Sequence, residues 1–352
     1  MRKRCCLRMR QEEIEQNTAN LWCYNQKYKN CEVYKMDNIT EKIGLGCMGM
    51  SVRRNPEDSI KTIHAALDEG ITLFNTGEFY GMGESEMIVG QALKGVSKDK
   101  YFLSVKFGML SDPSGRMYGM DTSTFHIKAR LAYSMRRLGV DYIDLYQPAR
   151  FDETIPVEET VGALAELVKE GYIGHIGLSE VDADTLKRAS MVHPIHTVEV
   201  EYSIIDRDIE KDLIPAARDL GVNLLTFGLL SHGLLSDTVI DGTSQPSIKF
   251  GRFAPENLSK NQIVLEQLKN FAYEKNVTVA QLAYAWAFSK NPEMQCLVGT
   301  TKPAHLKNAM EALDISLSHE DIVRMEHIIS VETIVGTGMR GVRFSGGKPV
   351  FR

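Results

Sequence analysis

Long apolar runs are missing from this chain of 352 residues. None reaches the roughly 18 residues needed to cross a bilayer, so no segment reads as a membrane span. A secretory leader is not legible either. Residues 1–10 are basic, but Gln11-Glu12-Glu13-Ile14-Glu15-Gln16 follows where an apolar stretch would stand. Charge is not in excess: the net charge is −5 and no basic stripe is present, so nucleic acid is not an expected partner. Cysteine is scarce where a disulfide framework would need it. Cys5, Cys6, Cys23 and Cys31 crowd into the first tenth of the chain, and Cys47 and Cys296 sit in apolar runs. This distribution fits a reducing, cytoplasmic setting. The first four also lack the C-x₂-C pairs of a zinc site. No His/Cys/Asp cluster points to another metal, and no G-x-S-x-G to an acyl enzyme.

What is present is alternation. Short apolar runs over 43–48, 72–75, 101–106, 142–146, 175–179, 198–202, 223–227 and 295–299 read as strands. Between them lie helical stretches. The first opens on Asn55-Pro56, a cap followed by proline at the first helical position, and stops at Gly70. Others run over 83–94, 123–138, 157–169, 183–192, 209–220, 261–275, 279–290 and 303–312, and Ser318 caps a closing helix. Strands of this length alternating with helices indicate βαβ units and a parallel sheet. Eight units fit an α/β fold of the closed (β/α)₈ TIM-barrel type, parallel and eight-stranded, with extra helices. A doubly wound sheet is the alternative. Residues 1–36 read as an N-terminal extension, 37–330 as the single barrel, and 331–352 as a Gly/Arg-rich C-terminal tail. Gly44-Leu45-Gly46-Cys47-Met48-Gly49 matches the dinucleotide fingerprint G-x-G-x-x-G, but no helix opens within it. The second strand also ends in Asn75 rather than an acidic residue. The glycines are expected to thin a barrel strand instead.

Barrel enzymes carry their chemistry at the C-terminal ends of the strands. Those ends hold Cys47-Met48, Asn75 with Tyr80 beyond it, Lys106, Gln147-Pro148-Ala149-Arg150, Ser179-Glu180, Glu199 with Glu201, Phe227-Gly228 and Gly299-Thr300. A phenol has a reference pKa of about 10, and a nearby ammonium stabilises its anion. Tyr80 and Lys106, delivered by neighbouring strands, therefore suit proton exchange with a carbonyl or alcohol oxygen. The long connection over 230–261 is expected to fold over a cofactor, with Lys249 and Arg252 toward its pyrophosphate.

The sequence resembles the aldo-keto reductase family. The likeness is carried by Ile43-Gly44-Leu45-Gly46-Cys47-Met48-Gly49, Phe74-Asn75-Thr76-Gly77-Glu78-Phe79-Tyr80-Gly81, Val105-Lys106-Phe107-Gly108 and Leu138-Gly139-Val140-Asp141-Tyr142-Ile143-Asp144-Leu145-Tyr146. It continues in Gly171-Tyr172-Ile173-Gly174-His175-Ile176-Gly177-Leu178-Ser179, Glu201-Tyr202-Ser203 and Gly299-Thr300. Within the family the chain looks most like the branch that includes pyridoxal reductases. The resemblance implies a barrel that binds NADP(H), with NAD(H) as the alternative, and reduces a small-molecule aldehyde or ketone. A nucleotide-binding regulatory or redox-sensor subunit with little turnover is the second reading. Of the family's Asp, Tyr, Lys and His, the Tyr falls on Tyr80 and the Lys on Lys106. Asn75 stands at the Asp position and Ala149 at the His position. Asn75 is expected to orient Lys106 without supplying charge, which leaves the ammonium unpaired unless Glu78, in the loop beyond the strand, restores the carboxylate. The resemblance places cofactor contacts at Cys47, Met48, Ser179, Glu180, Glu199, Phe227, Gly228, Leu229, Ser231, Gly299 and Thr300. Lys302, His305 and Asn308 fall at the positions around the adenosine 2′-phosphate.

Overall fold

The structure, a computed structural model, describes residues 42–51, 55–243, 251–330, 333–336 and 342–351. The expected extension 1–36 and Lys249 lie outside the described residues. The strands are β1 (Ile43–Gly46), β2 (Leu73–Gly77), β3 (Phe102–Phe107), β4 (Met109–Ser111), β5 (Met117–Met120) and β6 (Ile143–Pro148). They continue as β7 (Ile173–Ser179), β8 (Thr197–Glu201), β9 (Asn223–Phe227), β10 (Gln295–Gly299), β11 (Val342–Ser345) and β12 (Lys348–Phe351). β1, β2, β3, β6, β7, β8, β9 and β10 close a barrel with all neighbours parallel, β1 sealing against β10. The (β/α)₈ barrel is therefore the fold, and the doubly wound sheet is excluded.

Local signals explain most of the elements. Helix Pro56–Asp68 opens where Asn55 accepts the Glu57 N–H at 3.2 Å. Helix Thr124–Leu138 stops at Gly139 and helix Leu213–Leu220 at Gly221, both glycines at positive φ. One helix starts six residues before its expected position. It runs over Pro255–Glu274 because Pro255 occupies its first turn. Asn261, the expected first residue of this helix, lies within it and is buried. Its side chain exchanges hydrogen bonds with Val335 and donates to the Arg252 carbonyl. This helix start, with the short helix Asp237–Ile240, shortens the long connection expected over 230–261.

The glycines of β1 have a packing reason. A Cβ on Gly44 would lie 2.7 Å from Leu73 Cδ2 and 3.0 Å from Leu297 Cδ2. Leu73, Leu225 and Leu297 form an apolar cluster with Phe102 and Phe227, separate from the large cluster between sheet and helices. It is the barrel's interior filling, and β1 yields space to it. After β1 comes a single 3₁₀ turn, Met48–Met50, not a helix.

Two hairpins were not legible in the sequence. β4 and β5 pair antiparallel beyond β3, their turn held by Asp112, which accepts from the Ser114 and Arg116 N–H groups at 2.9 and 3.1 Å. β11 and β12 pair around Gly346-Gly347, so part of the expected tail is ordered structure. It docks at the C-terminal end of the barrel. Met120 N–H donates to the Gly347 carbonyl at 3.0 Å. Gly346 N–H donates to Asp152 Oδ1 at 2.9 Å, and Gly347 N–H donates to the same carboxylate. Asp152, just beyond β6, also accepts from Thr154. These bonds hold its pKa below the usual carboxylate value against the upward push of burial.

Candidate active site

Strand register assembles the site. Asn75 pairs with Ser104, Gly77 with Lys106, Lys106 with Gln147, and Ser179 with Glu199. Side chains two apart on a strand share a face, so Asn75, Ser104, Lys106, Gln147 and Glu199 meet inside the barrel near its C-terminal mouth. All five are buried. Lys106 Nζ donates to Asn75 Oδ1 at 2.6 Å and to Glu199 Oε1 at 2.5 Å. Glu199 Oε2 accepts from Asn75 Nδ2 at 2.7 Å and Gln147 Nε2 at 2.5 Å. Ser104 Oγ accepts from the same two amides at 3.0 and 3.1 Å.

This geometry corrects one expectation. Lys106 is not an unpaired ammonium: Glu199, expected among the cofactor contacts, has both carboxylate oxygens turned to Lys106 and its neighbours. Burial alone would push the Lys106 pKa down, but Glu199 and Tyr80 together raise it, so Lys106 stays charged. Glu78 does not supply the charge. Its Oε1 accepts the Gly108 N–H at 2.8 Å, and its carboxylate faces His126 and Arg130.

Tyr80 leaves β2 on a tight turn in which Gly81, Met82 and Gly83 all have positive φ. Its half-buried ring packs edge-on to Phe79, with Lys106 Nζ 5.5 Å from the ring centroid. Burial raises the phenol pKa above 10.0, Lys106 and Arg150 pull it down, and Glu199 pushes it up. The net direction is upward, so Tyr80 is a neutral phenol at physiological pH. Ala149 is buried among Met120, Phe79 and Met109, so this wall of the site is apolar. The next residue, Arg150, lies 3.7 Å from Glu180.

The remaining expected residues fall in three places. Ser179 Oγ is buried and unpartnered at the end of β7, beside Glu180, which has a φ of 55°. Glu180 accepts the Glu201 N–H at 2.5 Å, and Glu201 in turn contacts His232 at 3.0 Å. Phe227 is half-buried over the interior leucines, and Met48 is exposed on the rim. Cys47 is buried in the cluster between sheet and helices, with Sγ on the Leu45 carbonyl, and burial pushes its thiol up to about 12. Gly228 sits over Glu201, and Leu229 is buried. Ser231 accepts from Arg252, whose guanidinium forks onto Asp206 at 2.7 and 2.8 Å. Arg252 thus braces the loop after β9 from below, contrary to the expectation that it faces a pyrophosphate. Gly299 has open space where a Cβ would stand. Thr300 Oγ1 accepts from the Lys302 N–H at 3.0 Å and lies 3.3 Å from His305 Nδ1. Lys302 and His305 are exposed at the start of helix Pro303–Glu311, and Asn308 accepts from Thr278 at 3.5 Å.

Ser104 was missed as a site residue, and Gln147 was read only as a strand-end residue without a role. The signal was available for Ser104, two residues before Lys106 on the same face of β3.

Tyr80 and the buried Lys106 ammonium thus stand together at the C-terminal mouth of a (β/α)₈ barrel, the end at which barrel enzymes carry their chemistry. Comparison with known proteins narrows the class. The model of the Aldo/keto reductase family matches residues 42–330. A probable aldo-keto reductase of Glycine max is 36% identical over 304 residues, 84% of this chain and 87% of its own. The barrel superposes on a glycerol dehydrogenase of Gluconobacter oxydans with a TM-score of 0.72 at 27% identity, covering 82% of this chain and 90% of that one. An aldo/keto reductase of Klebsiella pneumoniae, solved with NADP and acetate, gives 0.65 at 26% identity, covering 82% and 91%. The chain belongs to the aldo/keto reductase family, and it is an NADP-dependent oxidoreductase. No helix among the described residues is long and apolar enough to cross a membrane.

Proposed function

We propose that the protein reduces an aldehyde or ketone to an alcohol, with Tyr80 as the proton donor and Lys106 as the charge that stabilises the phenolate left behind. The observation that carries this reading is a neutral, half-buried phenol directly over a buried ammonium. A neutral phenol is the form required for reduction, because the proton must be in place before the carbonyl oxygen becomes an alkoxide. Alcohol oxidation needs the phenolate and is therefore favoured only at high pH.

NADPH, when bound, supplies the hydride to the carbonyl carbon. The residues present fit it. The unpartnered Ser179 hydroxyl suits a carboxamide, Phe227 offers a flat face, and Gly299 leaves room against the sheet. Lys302 and His305 stand at a helix N-terminus, where a phosphate is favoured. The apolar wall of Ala149, Phe79 and Met120 keeps water from the reacting oxygen. The likeness to the pyridoxal reductase branch makes pyridoxal the first aldehyde to try.

The test is NADPH oxidation with pyridoxal, 4-nitrobenzaldehyde and short aliphatic aldehydes. Tyr80→Phe is expected to lower kcat by at least about 10²-fold and leave NADPH binding, read by fluorescence titration, nearly intact. Retention of most activity in Tyr80→Phe would remove Tyr80 from the mechanism. Tight NADPH binding without turnover on any aldehyde would favour a sensor subunit instead.

A further inference from the structure

We infer that Glu199 is the counter-ion of the catalytic ammonium, a carboxylate supplied by β8 in place of the one absent from β2, and that Asn75 is neutral because Glu199 is there. This rests on the Tyr80–Lys106 reading above and adds a positioning residue to it.

The two residues are matched. Asn75 accepts from Lys106 through Oδ1 and donates to Glu199 through Nδ2, so its amide is used from both ends. An aspartate at 75 would have no donor and would set a second anion about where Nδ2 now lies, 2.7 Å from Glu199 Oε2. One lysine would then face two carboxylates in a water-poor interior, which is unfavourable. With Asn75 and Glu199 together the buried cluster carries one positive and one negative charge.

The surroundings are built for this arrangement. Gln147 on β6 reaches Glu199 on β8 across the intervening strand β7. It can do so because β7 has Gly177 at that point: a Cβ there would lie 2.7 Å from Gln147 Oε1. Ser104 receives both amides from below, which fixes Asn75 and Gln147 in the orientation that donates to Glu199. Side chains from β2, β3 and β6 and a gap in β7 thus aim one carboxylate at one ammonium.

The experiment is a charge swap in the full-length protein, read with NADPH and 4-nitrobenzaldehyde across pH 6 to 10. Glu199→Gln is expected to lower kcat and move the alkaline limb of the profile down by on the order of one pH unit, because the anion that holds protons on both Lys106 and Tyr80 is gone. Asn75→Asp is expected to lose activity and thermal stability together. Asn75→Asp/Glu199→Gln, with the carboxylate moved to β2, is expected to regain kcat to within about tenfold of the parent and to return the alkaline limb. A pH profile unmoved in Glu199→Gln, or a double variant no better than the poorer single one, would overturn the inference. Should Glu199→Gln fail to fold, a folded and active double variant supports it and an unfolded one refutes it. Tyr80→Phe runs alongside. If it keeps its activity the proposed mechanism fails, whereas its loss combined with an indifferent Glu199→Gln refutes the counter-ion alone.

Discussion

Arg137→Met is the perturbation whose size the structure defines best. Arg137, near the end of helix Thr124–Leu138, places Nε 2.5 Å from Oε2 of Glu86, which is fully buried. The same side chain lies under the turn that carries Tyr80: a Cβ on Gly83 would come within 2.6 Å of Arg137 Cδ and Nε. Removing one partner of a buried pair costs about 3–5 kcal/mol, and the partial exposure of Arg137 puts the expected loss near the lower figure, about 3 kcal/mol. The loss depends on pH. Burial already raises the Glu86 pKa, with Arg137 opposing it. A carboxylate whose folded pKa lies above its unfolded value destabilises the fold increasingly as pH rises from the unfolded to the folded pKa. Without Arg137 the folded pKa climbs further. The penalty should therefore grow from pH 5.5 to pH 7.5 by up to about 1.4 kcal/mol per unit. Urea unfolding at the two pH values measures it, and adding Glu86→Gln should recover most of the loss. Equal destabilisation at both pH values would show that Arg137 acts by packing and refute the charge argument.

Three further outcomes are expected. The ratio of NADPH to NADH affinity should rise in His305→Arg, which sets a fixed charge beside Lys302 at the start of helix Pro303–Glu311. Fluorescence titration of both cofactors checks this. Asp152→Ala should free the β11–β12 hairpin, seen as faster amide exchange at Gly346 and Gly347 with the barrel amides unchanged. The KM for aldehyde should change more than kcat if that hairpin borders the substrate path.

The barrel was legible because its signals are local. Asn55-Pro56, Gly139 and Gly221 mark helix ends through backbone conformation alone, and β9 and β10 have the bounds expected from their apolar runs. The hairpins were not, because Met109-Leu110-Ser111 is too short to show a period and Gly346-Gly347 gives no hint of Asp152. Within the site, Tyr80 and Lys106 could be picked out because adjacent strands deliver them. The tie between Lys106 and Glu199 could not. It joins β3 to β8, which are not neighbours in the sheet, and exists only once the barrel has closed. The start of helix Pro255–Glu274 was set six residues late, at Asn261, although Pro255 is a local signal for a first helical turn.

The bond from Gly346 to Asp152 spans 194 positions, which sets an order of assembly. A nascent chain folds roughly as it emerges, at about 5–20 residues per second. The barrel can seal once β10 has left the ribosome and found β1. Asp152, by then long synthesised, has only its bonds from Thr154 until Gly346 and Gly347 arrive. The hairpin can therefore be tied to Asp152 only after every barrel strand has been synthesised.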